Sequence, residues 1–294
     1  MNFSDPEKFT AVSLAMTAEI IYTYNMKTLL TILLCLTTMA GCTPAPQSGM
    51  DIYTFSNGKA DCSLLSFDGM NVLIDAGEED DGDEIVDALL SLQVEKLDLV
   101  ILTHFDKDHI GGFPEVAASM PIEKVILPDY VRDSDYYRSM EDVLSLYVIP
   151  HERLSADTAF ELGRAAFTVW TSTKTYNPEK ENDNQLSLVT RITFGQTRLL
   201  FMADAEGGWL NDLCYEGYEL GCDVIKFPCH GKWQKHIPAL LALSLPAYAI
   251  VTDSVKNPAA EKTLDALSTM DITTLRTMDG DVHLFTDGMK VTVR

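Results

Sequence analysis

The chain has 294 residues, 46% of them hydrophobic and 22% charged, a composition that suits a globular protein with one large domain or two small ones. Its 44 acidic residues against 22 basic ones leave a formal charge of −22, which disfavours a surface that grips long nucleic acid by its phosphates, though not local recognition beside a bound cation. Internal repeats, low-complexity tracts and Walker, Rossmann or nucleophile-elbow patterns do not occur, so the classes that rest on them have no support.

Residues 1–25 carry Asp5, Glu7 and Glu19 and are unlike the start of a signal peptide, so Met26 is the expected first residue. Met26-Lys27-Thr28 opens a short basic region. The apolar run from Leu29 to Met39 is too short to cross about 30 Å of hydrocarbon, and Met39-Ala40-Gly41-Cys42 places small residues before a cysteine. This resembles a bacterial lipoprotein signal, with Met39 where Leu is usual. It implies cleavage before Cys42, a lipid on its sulfur, and an extracytoplasmic, lipid-anchored protein on the bacterial cell membrane. Residues 1–41 take three of the acids and two of the bases with them, so the remainder keeps a formal charge of −21. Residues 42–50, with Pro44, Pro46 and Ser48, read as a tether, and residues 51–294 as a single domain.

Asp51 to Phe55 is a first expected strand, and Cys62 to Phe67 with Asn71 to Ile74 form a hairpin about Asp68-Gly69 that runs into Asp75-Ala76-Gly77. Asp83 to Leu92 has apolar residues at helical spacing. The domain is organised around the stretch Leu97 to Gly112. An apolar strand from Leu97, centred on β-branched Val100 and Ile101, runs directly into Thr103-His104-Phe105-Asp106-Lys107-Asp108-His109 and then Gly111-Gly112. His104, Asp106, Asp108 and His109 are four potential metal ligands in six residues, delivered from one strand end into a tight loop, where they can converge on one or two divalent ions. The two glycines let the backbone turn sharply into the next helix.

Phe113 to Met120 and Asp133 to Tyr147 read as helices, Lys124 to Leu127 as a strand, and Ala159 to Thr171 as short alternating strands. Such mixing of elements predicts a layered α/β sandwich. In the second half, Asn182-Asp183-Asn184-Gln185-Leu186-Ser187-Leu188-Val189 leads into a strand to Phe194. A Gly195-Gln196 turn and a strand from Thr197 to Ala203 then end at Asp204. Asp204 is either a further ligand or the N-cap of a helix starting near Gly207. The strand Cys222 to Phe227 runs into Pro228-Cys229-His230-Gly231-Lys232, and His230 is either a ligand or a structural histidine. Ala249 to Thr252 is a strand, Ala259 to Met270 a helix, and Ile272 to Val293 a β-rich ending.

His104 to Gly112 resembles the His-x-His-x-Asp-His signature of the metallo-β-lactamase superfamily, with Asp106 at the second histidine. That His-x-Asp-x-Asp-His-x-Gly-Gly form is similar to the hydrolase domain of ComEC-type DNA-uptake competence proteins and their stand-alone relatives. The likeness extends along nearly the whole mature chain. Gly58-Lys59-Ala60-Asp61 stands for Gly-Gln-Gly-Asp, and Ala203-Asp204-Ala205-Glu206 for Gly-Asp-Ala-Glu. Pro228-Cys229-His230-Gly231-Lys232 stands for Pro-His-His-Gly-Ser, while Leu275-Arg276-Thr277 and Thr286-Asp287-Gly288 match the ending.

The resemblance implies a four-layer αβ/βα sandwich and two divalent ions. One would be held by His104, Asp106 and Asp204, the other by Asp108, His109, His230 and Asp204. Asp204 would bridge the ions, and Asp75 would support the site through hydrogen bonds. No histidine lies between His151 and His230 to supply the usual middle-motif ligand, and so carboxylate-rich a first position suits manganese as well as zinc. The implied chemistry is hydrolysis by a metal-bound hydroxide, with Asp108 as catalytic proton acceptor, of a phosphodiester or related ester in a small molecule. A β-lactam is disfavoured by the loss of the His-rich ligand set. Lys232 and Lys107, beside ligands in sequence, are candidate phosphate contacts, with a solvated lysine as the alternative. The competing expectation is a non-catalytic, metal-stabilised surface lipoprotein that binds a ligand or partner; the altered middle motif, Cys229 and Ala203 favour it. Of six cysteines, Cys35 and Cys42 belong to the leader region, and pairing among Cys62, Cys214, Cys222 and Cys229 is open.

The anchoring expectation is tested by fractionation. The intact chain should sediment with membranes, and Cys42→Ala should release it or block its processing; a cytoplasmic protein retaining residues 26–41 would exclude the anchor.

Overall fold

The computed structural model describes residues 49–172 and 183–294; the leader, Cys42, most of the tether and Asn182 lie outside the described residues. In chain order the first strands are β1 (Met50–Thr54), β2 (Ser63–Phe67), β3 (Met70–Ile74), β4 (Leu99–Ile101), β5 (Val125–Pro128) and β6 (His151–Leu154). They are followed by β7 (Thr158–Leu162), β8 (Ala165–Trp170), β9 (Val189–Phe194), β10 (Thr197–Phe201), β11 (Val224–Lys226), β12 (Tyr248–Val251), β13 (Thr273–Arg276), β14 (Val282–Thr286) and β15 (Val291–Val293). The helices are α1 (Gly82–Ser91), α2 (Lys107–Ile110), α3 (Phe113–Ser119), α4 (Asp135–Leu146), α5 (Gly207–Tyr215), α6 (Ile237–Ser244) and α7 (Glu261–Thr269).

Two mixed sheets result, ordered β15-β14-β1-β2-β3-β4-β5-β6 and β13-β12-β11-β10-β9-β8-β7. The two-residue period of each strand divides its side chains between two apolar layers. From β2 to β5, Leu64, Leu73, Val100, Val125 and Leu127 face a cluster with Ile85 and Leu89 of α1, Phe113 of α3 and Met140 of α4. Their neighbours Leu65, Val72, Ile74, Leu99, Ile101 and Ile126 pack instead with Phe167, Ile192, Leu199, Phe201, Val224 and Ile250 of the second sheet. On the far side Leu200, Ile225, Ala249 and Val251 meet Trp209 and Leu213 of α5, Leu240 of α6 and Leu267 of α7. Three apolar layers between helix, sheet, sheet and helix make the αβ/βα sandwich that the sequence predicts. Each fully buried aliphatic or aromatic side chain contributes about 1.5–3 kcal/mol.

The strands from β3 to β6 are parallel, as are those from β10 to β13. Helices cross between them, so loops at the carboxyl ends of parallel strands are free to build a site. Asp75 follows β3, His104 follows β4, Asp204 follows β10, His230 follows β11 and Thr252 follows β12.

Three elements depart from the sequence reading. The ligand loop contains a one-turn helix, α2, entered from Asp106 in extended conformation. Helix α6 has no counterpart in it because Ile-Pro-Ala-Leu-Leu-Ala-Leu-Ser is apolar on nearly every face and so carries no helical period. Strand β6, His-Glu-Arg-Leu, is a mostly exposed edge strand without apolar alternation.

The glycines after α2 also do a different job from the one expected. Gly111 and Gly112 both lie in the right-handed helical region, with φ of −60° and −83°, which any residue adopts. They are required by space instead. A Cβ on Gly112 would lie 2.3 Å from the Ala76 carbonyl oxygen, and one on Gly111 would lie 2.5 Å from the Glu79 nitrogen. Backbone on both sides leaves nothing flexible to move. Gly112→Ala should therefore lose about 1–3 kcal/mol of stability by overpacking, read as a lower denaturant midpoint at constant slope; an unchanged midpoint would show that the segment around Ala76 yields freely.

Candidate metal centre

Each histidine at the strand ends is held by one ring nitrogen. His109 Nδ1 donates to Asp75 Oδ2 at 2.8 Å. Thr103 fixes the same aspartate, its backbone N–H donating to Oδ1 and its hydroxyl to Oδ2, both at 2.8 Å. That hydroxyl then accepts from His104 Nδ1 at 3.1 Å. His230 Nδ1 meets the Thr252 hydroxyl at 3.1 Å, and that hydroxyl donates to Asp61 Oδ1 at 2.6 Å. In every case Nδ1 carries the proton and Nε2 is left as the ligand atom.

The three Nε2 atoms point into one space with Asp204. Asp204 Oδ1 lies 3.6 Å from His109 Nε2, and Asp204 Oδ2 lies 3.2 Å from His230 Nε2. Asp108 Oδ2 is 3.4 Å from His230 Nε2. Ligand atoms each about 2.1 Å from a shared ion lie about 3–3.5 Å apart, so these separations are those of donors awaiting a cation. His104 Nε2, His109 Nε2, His230 Nε2 and Asp204 Oδ1 are all buried and make no hydrogen bond. Buried polar atoms without partners are costly, and four in one cluster fit a divalent ion chemically as well as geometrically. Among the described residues four donor groups overlap here: His104, His109 and Asp204; Asp108, His109 and His230; Asp61, Asp204 and His230; and Asp61, Asp75 and His109. Asp204 presents its two oxygens to different histidines, the arrangement a bridging carboxylate needs.

Asp106 stands apart from these sets. Its carboxylate is on the rim, 34% exposed, with Oδ2 at 3.8 Å from His104 Nε2 and Oδ1 at 3.8 Å from Arg132. Lys232 and Lys107 do not reach the cluster: Lys232, 66% exposed, donates to Glu206 at 3.1 Å, and Lys107 donates to Glu78 at 3.1 Å. Nor is Asp204 a helix cap, since α5 begins after Glu206. The cysteines Cys62, Cys214, Cys222 and Cys229 are buried free thiols. Cys229 turns its sulfur toward the Asp204 carbonyl oxygen at 3.1 Å and accepts from Gln234 Nε2 at 3.3 Å. Burial, then the Asp204 and Glu206 carboxylates, push its thiol well above the usual range, and with its sulfur turned to that carbonyl it belongs to none of the donor sets.

Sequence reasoning gave no role in the centre to Asp61, Lys226 and Lys59, nor to Thr103 and Thr252. Asp61 accepts from Thr252 and forms an ion pair with Lys226, both buried. Lys59, from the same turn, pairs with Asp108 Oδ2. Lys226 has a sequence signal, being the one charge inside the apolar run Val224 to Phe227; Lys59 has none beyond its nearness to Asp61.

Burial favours the neutral form of every imidazole here, and the carboxylates decide which ones resist it. His104, deep and beside His109, is lowered to about 4. For His109 burial is outweighed by Asp75, Asp204 and Asp61, which raise it to about 9. His230 is likewise raised against burial by Asp204, Asp108 and Asp61. Burial works against ionised Asp108 too, but His230, His109 and Lys59 hold it well below the carboxylate range. A metal ligand must be a neutral imidazole, so at pH 7 uptake of an ion expels protons from His109 and His230 and none from His104. Apparent metal affinity should therefore rise with pH through about 9, where His109 titrates. Calorimetric titration with zinc in buffers of different ionisation enthalpy measures the protons released; a pH-independent affinity would refute this ordering.

Residues 57–252 match the model of the Metallo-beta-lactamase superfamily. No curated protein matches the sequence. Among solved structures, the metallo-beta-lactamase fold protein YhfI from Bacillus subtilis is similar with a TM-score of 0.55 at 12% identity, over 77% of this chain and 95% of that one. Zn(2+)-bound PqqB from Methylobacterium extorquens is similar with a TM-score of 0.53 at 13% identity, over 76% and 97%. The family match across both halves of the sandwich, in keeping with candidate ligands at the ends of its parallel strands, shows that this chain belongs to the metallo-beta-lactamase superfamily.

Proposed function

We propose that the chain is a metal-dependent hydrolase of phosphodiesters or related esters of small molecules, working with two divalent ions, zinc or manganese. The observation that carries this reading is the set of three buried imidazole Nε2 atoms and one carboxylate oxygen that converge without a hydrogen bond. His104, His109, Asp108, Asp204 and His230 would hold the ions, with Asp106 joining from the rim. When bound, such ions lower the pKa of water and neutralise charge on the oxygens of an ester undergoing attack.

The chain's own residues supply the rest. Thr103, Asp75, Thr252 and Asp61 orient the imidazoles through their Nδ1 atoms, so no rotation precedes binding. Asp108 Oδ2, beside His230 Nε2 and reached by Lys59, is the atom that accepts a proton during turnover. Phosphodiester chemistry is favoured by the His-x-Asp-x-Asp-His-x-Gly-Gly motif of ComEC-type hydrolase domains and by a cation at the carboxylate. The acidic chain favours a small substrate over long nucleic acid. With Cys42 lipidated, the reaction would take place outside the cytoplasmic membrane.

One observation favours the non-catalytic reading. Asp106 stays at the rim, 3.8 Å from both His104 Nε2 and Arg132, so the first position lacks a carboxylate of its own closed onto it, which suits a centre that holds metal for structure alone. Loading the protein with zinc or manganese and assaying bis(p-nitrophenyl) phosphate separates the two. Wild type should turn it over only with metal. Asp108→Asn should lower kcat by about 100-fold or more with the fold intact, and Asp204→Ala should lose the most metal by elemental analysis. Turnover equal in Asp108→Asn, or absent from wild type with either ion, would reject the hydrolase.

A further inference from the structure

The turn after β1 carries a charge that the metal ligands and their supports leave unused. Gly58 takes a left-handed φ of 63°, and Ala60 N–H donates to Asn57 O at 2.9 Å, closing the turn that bears Lys59. The next residue ties this turn to the ligand helix, because Asp61 N–H donates to the Asp108 carbonyl oxygen at 2.9 Å. The backbone of Lys59 is thus fixed relative to the centre. Its ammonium pairs with Asp108 Oδ2, the oxygen that faces His230 Nε2 at 3.4 Å.

We infer that Lys59 binds an anionic, non-bridging oxygen of the substrate and makes the centre selective for phosphate esters over neutral esters. This rests on the hydrolase reading and names its substrate class. Three observations support it. The first is position: the Lys59 side chain is 33% exposed where that of Asp108 is 8% exposed, so a molecule arriving from solvent meets the ammonium before it meets the carboxylate and imidazoles behind.

The second is that the other cations near the centre are committed or inaccessible. Lys226 is buried against Asp61, Lys107 is held by Glu78, Lys232 by Glu206, and Arg132 by Asp183. Lys59 pairs with Asp108 of the buried donor cluster and also reaches solvent, whereas Arg132, equally exposed, comes no nearer than 3.8 Å to the rim carboxylate of Asp106. The third is charge. Asp61, Asp75, Asp108 and Asp204 crowd the centre of a chain with a formal charge of −22, and an anionic substrate needs a local positive group against that field.

An ammonium has three donors and Asp108 takes one of them, leaving the others for an incoming oxygen. A cation drawn to Asp108 also shares that carboxylate's charge and loosens its hold on the lysine. A neutral ester offers no full negative charge to this ammonium; a phosphodiester monoanion does. In the ComEC-type turn a glutamine stands at this position, so the lysine adds a charge that the resemblance does not supply.

The test uses the full chain loaded with manganese or zinc, as wild type and as Lys59→Met, Lys59→Gln and Lys59→Arg. Metal content is measured first, then affinity for inorganic phosphate by calorimetry. Last come kcat and KM on bis(p-nitrophenyl) phosphate and on neutral p-nitrophenyl acetate. Metal is supplied to saturation and its content matched across the four proteins, because withdrawing the ammonium from Asp108 changes that carboxylate's hold on an ion. Phosphate should bind about tenfold more weakly to the Met and Gln variants, as expected for loss of one charge-assisted hydrogen bond, and within about threefold of wild type to the Arg variant. KM for the phosphodiester should rise by a similar factor, and by clearly more than KM for the acetate. Phosphate affinity unaltered in Lys59→Met, or lost in step with metal content, overturns the inference. A wild type that binds phosphate through Lys59 yet hydrolyses neither ester keeps the anion site and overturns the hydrolase reading instead.

Discussion

Carboxylates removed from water must be matched by positive or donating groups, and this constraint governs the whole centre. Asp61, Asp75, Asp108 and Asp204 are all buried. Asp61 is answered by Lys226 and Thr252, Asp75 by Thr103 and His109, and Asp108 by Lys59. Asp204 differs, because the groups facing it are the imidazoles of His109 and His230, whose protons an ion would displace. Its Oδ1 has no hydrogen bond, and the atoms around it are imidazole nitrogens that lack partners too. The uncompensated positions gather at one point, where divalent cations would complete the pairing. Removing one member of such a network leaves an unmatched buried charge at a cost of about 3–5 kcal/mol, which makes the surrounding residues interdependent.

The fold supplies the positions and holds them under backbone strain. Asp75, Ala203, Cys229 and His230 have φ of 59°, 47°, 47° and 53°, in the left-handed region that side chains rarely adopt. All four sit in the segments that leave parallel strands for the centre. Each such residue costs on the order of 1–3 kcal/mol, offset by the apolar layers on either side. The strain has a use: the chain must reverse close to the strand end for side chains from both sheets to meet.

That geometry accounts for two departures from the ComEC-type motif that the sequence resembles. Glycine is usual where Ala203 stands, and the left-handed φ there is a conformation that glycine adopts without a Cβ clash. The chain tolerates alanine at some cost. Cys229, in place of a histidine, points away from the donor cluster into a pocket formed by the Asp204 carbonyl and Gln234. The adjacent His230 alone faces the ions' expected position, so loss of the first imidazole leaves the Nε2 geometry of the second intact.

Much of this was legible from local pattern. Alternating strands, the strand-to-ligand run from Leu97 to Gly112, Asp204 at one strand end and His230 at another determine an α/β sandwich and five of the donors, because strand ends and ligand types are written within a few residues. The Asp75 hydrogen bonds followed only from resemblance, and Asp61, Lys226 and Lys59 were decided by tertiary structure. Asp61 and Lys226 lie 165 residues apart, one in the turn between β1 and β2 and the other in β11 of the second sheet, and nothing local to either names its partner. The rim position of Asp106, which alternates with its neighbours in sequence, was likewise decided in three dimensions: α2 starts immediately after it, and the turn of that helix swings Asp108 and His109 inward while Asp106 stays at the extended edge. Sequence determines which groups a strand end carries; which of them face one another depends on how two sheets pack, and that is set by apolar layers remote from every ligand.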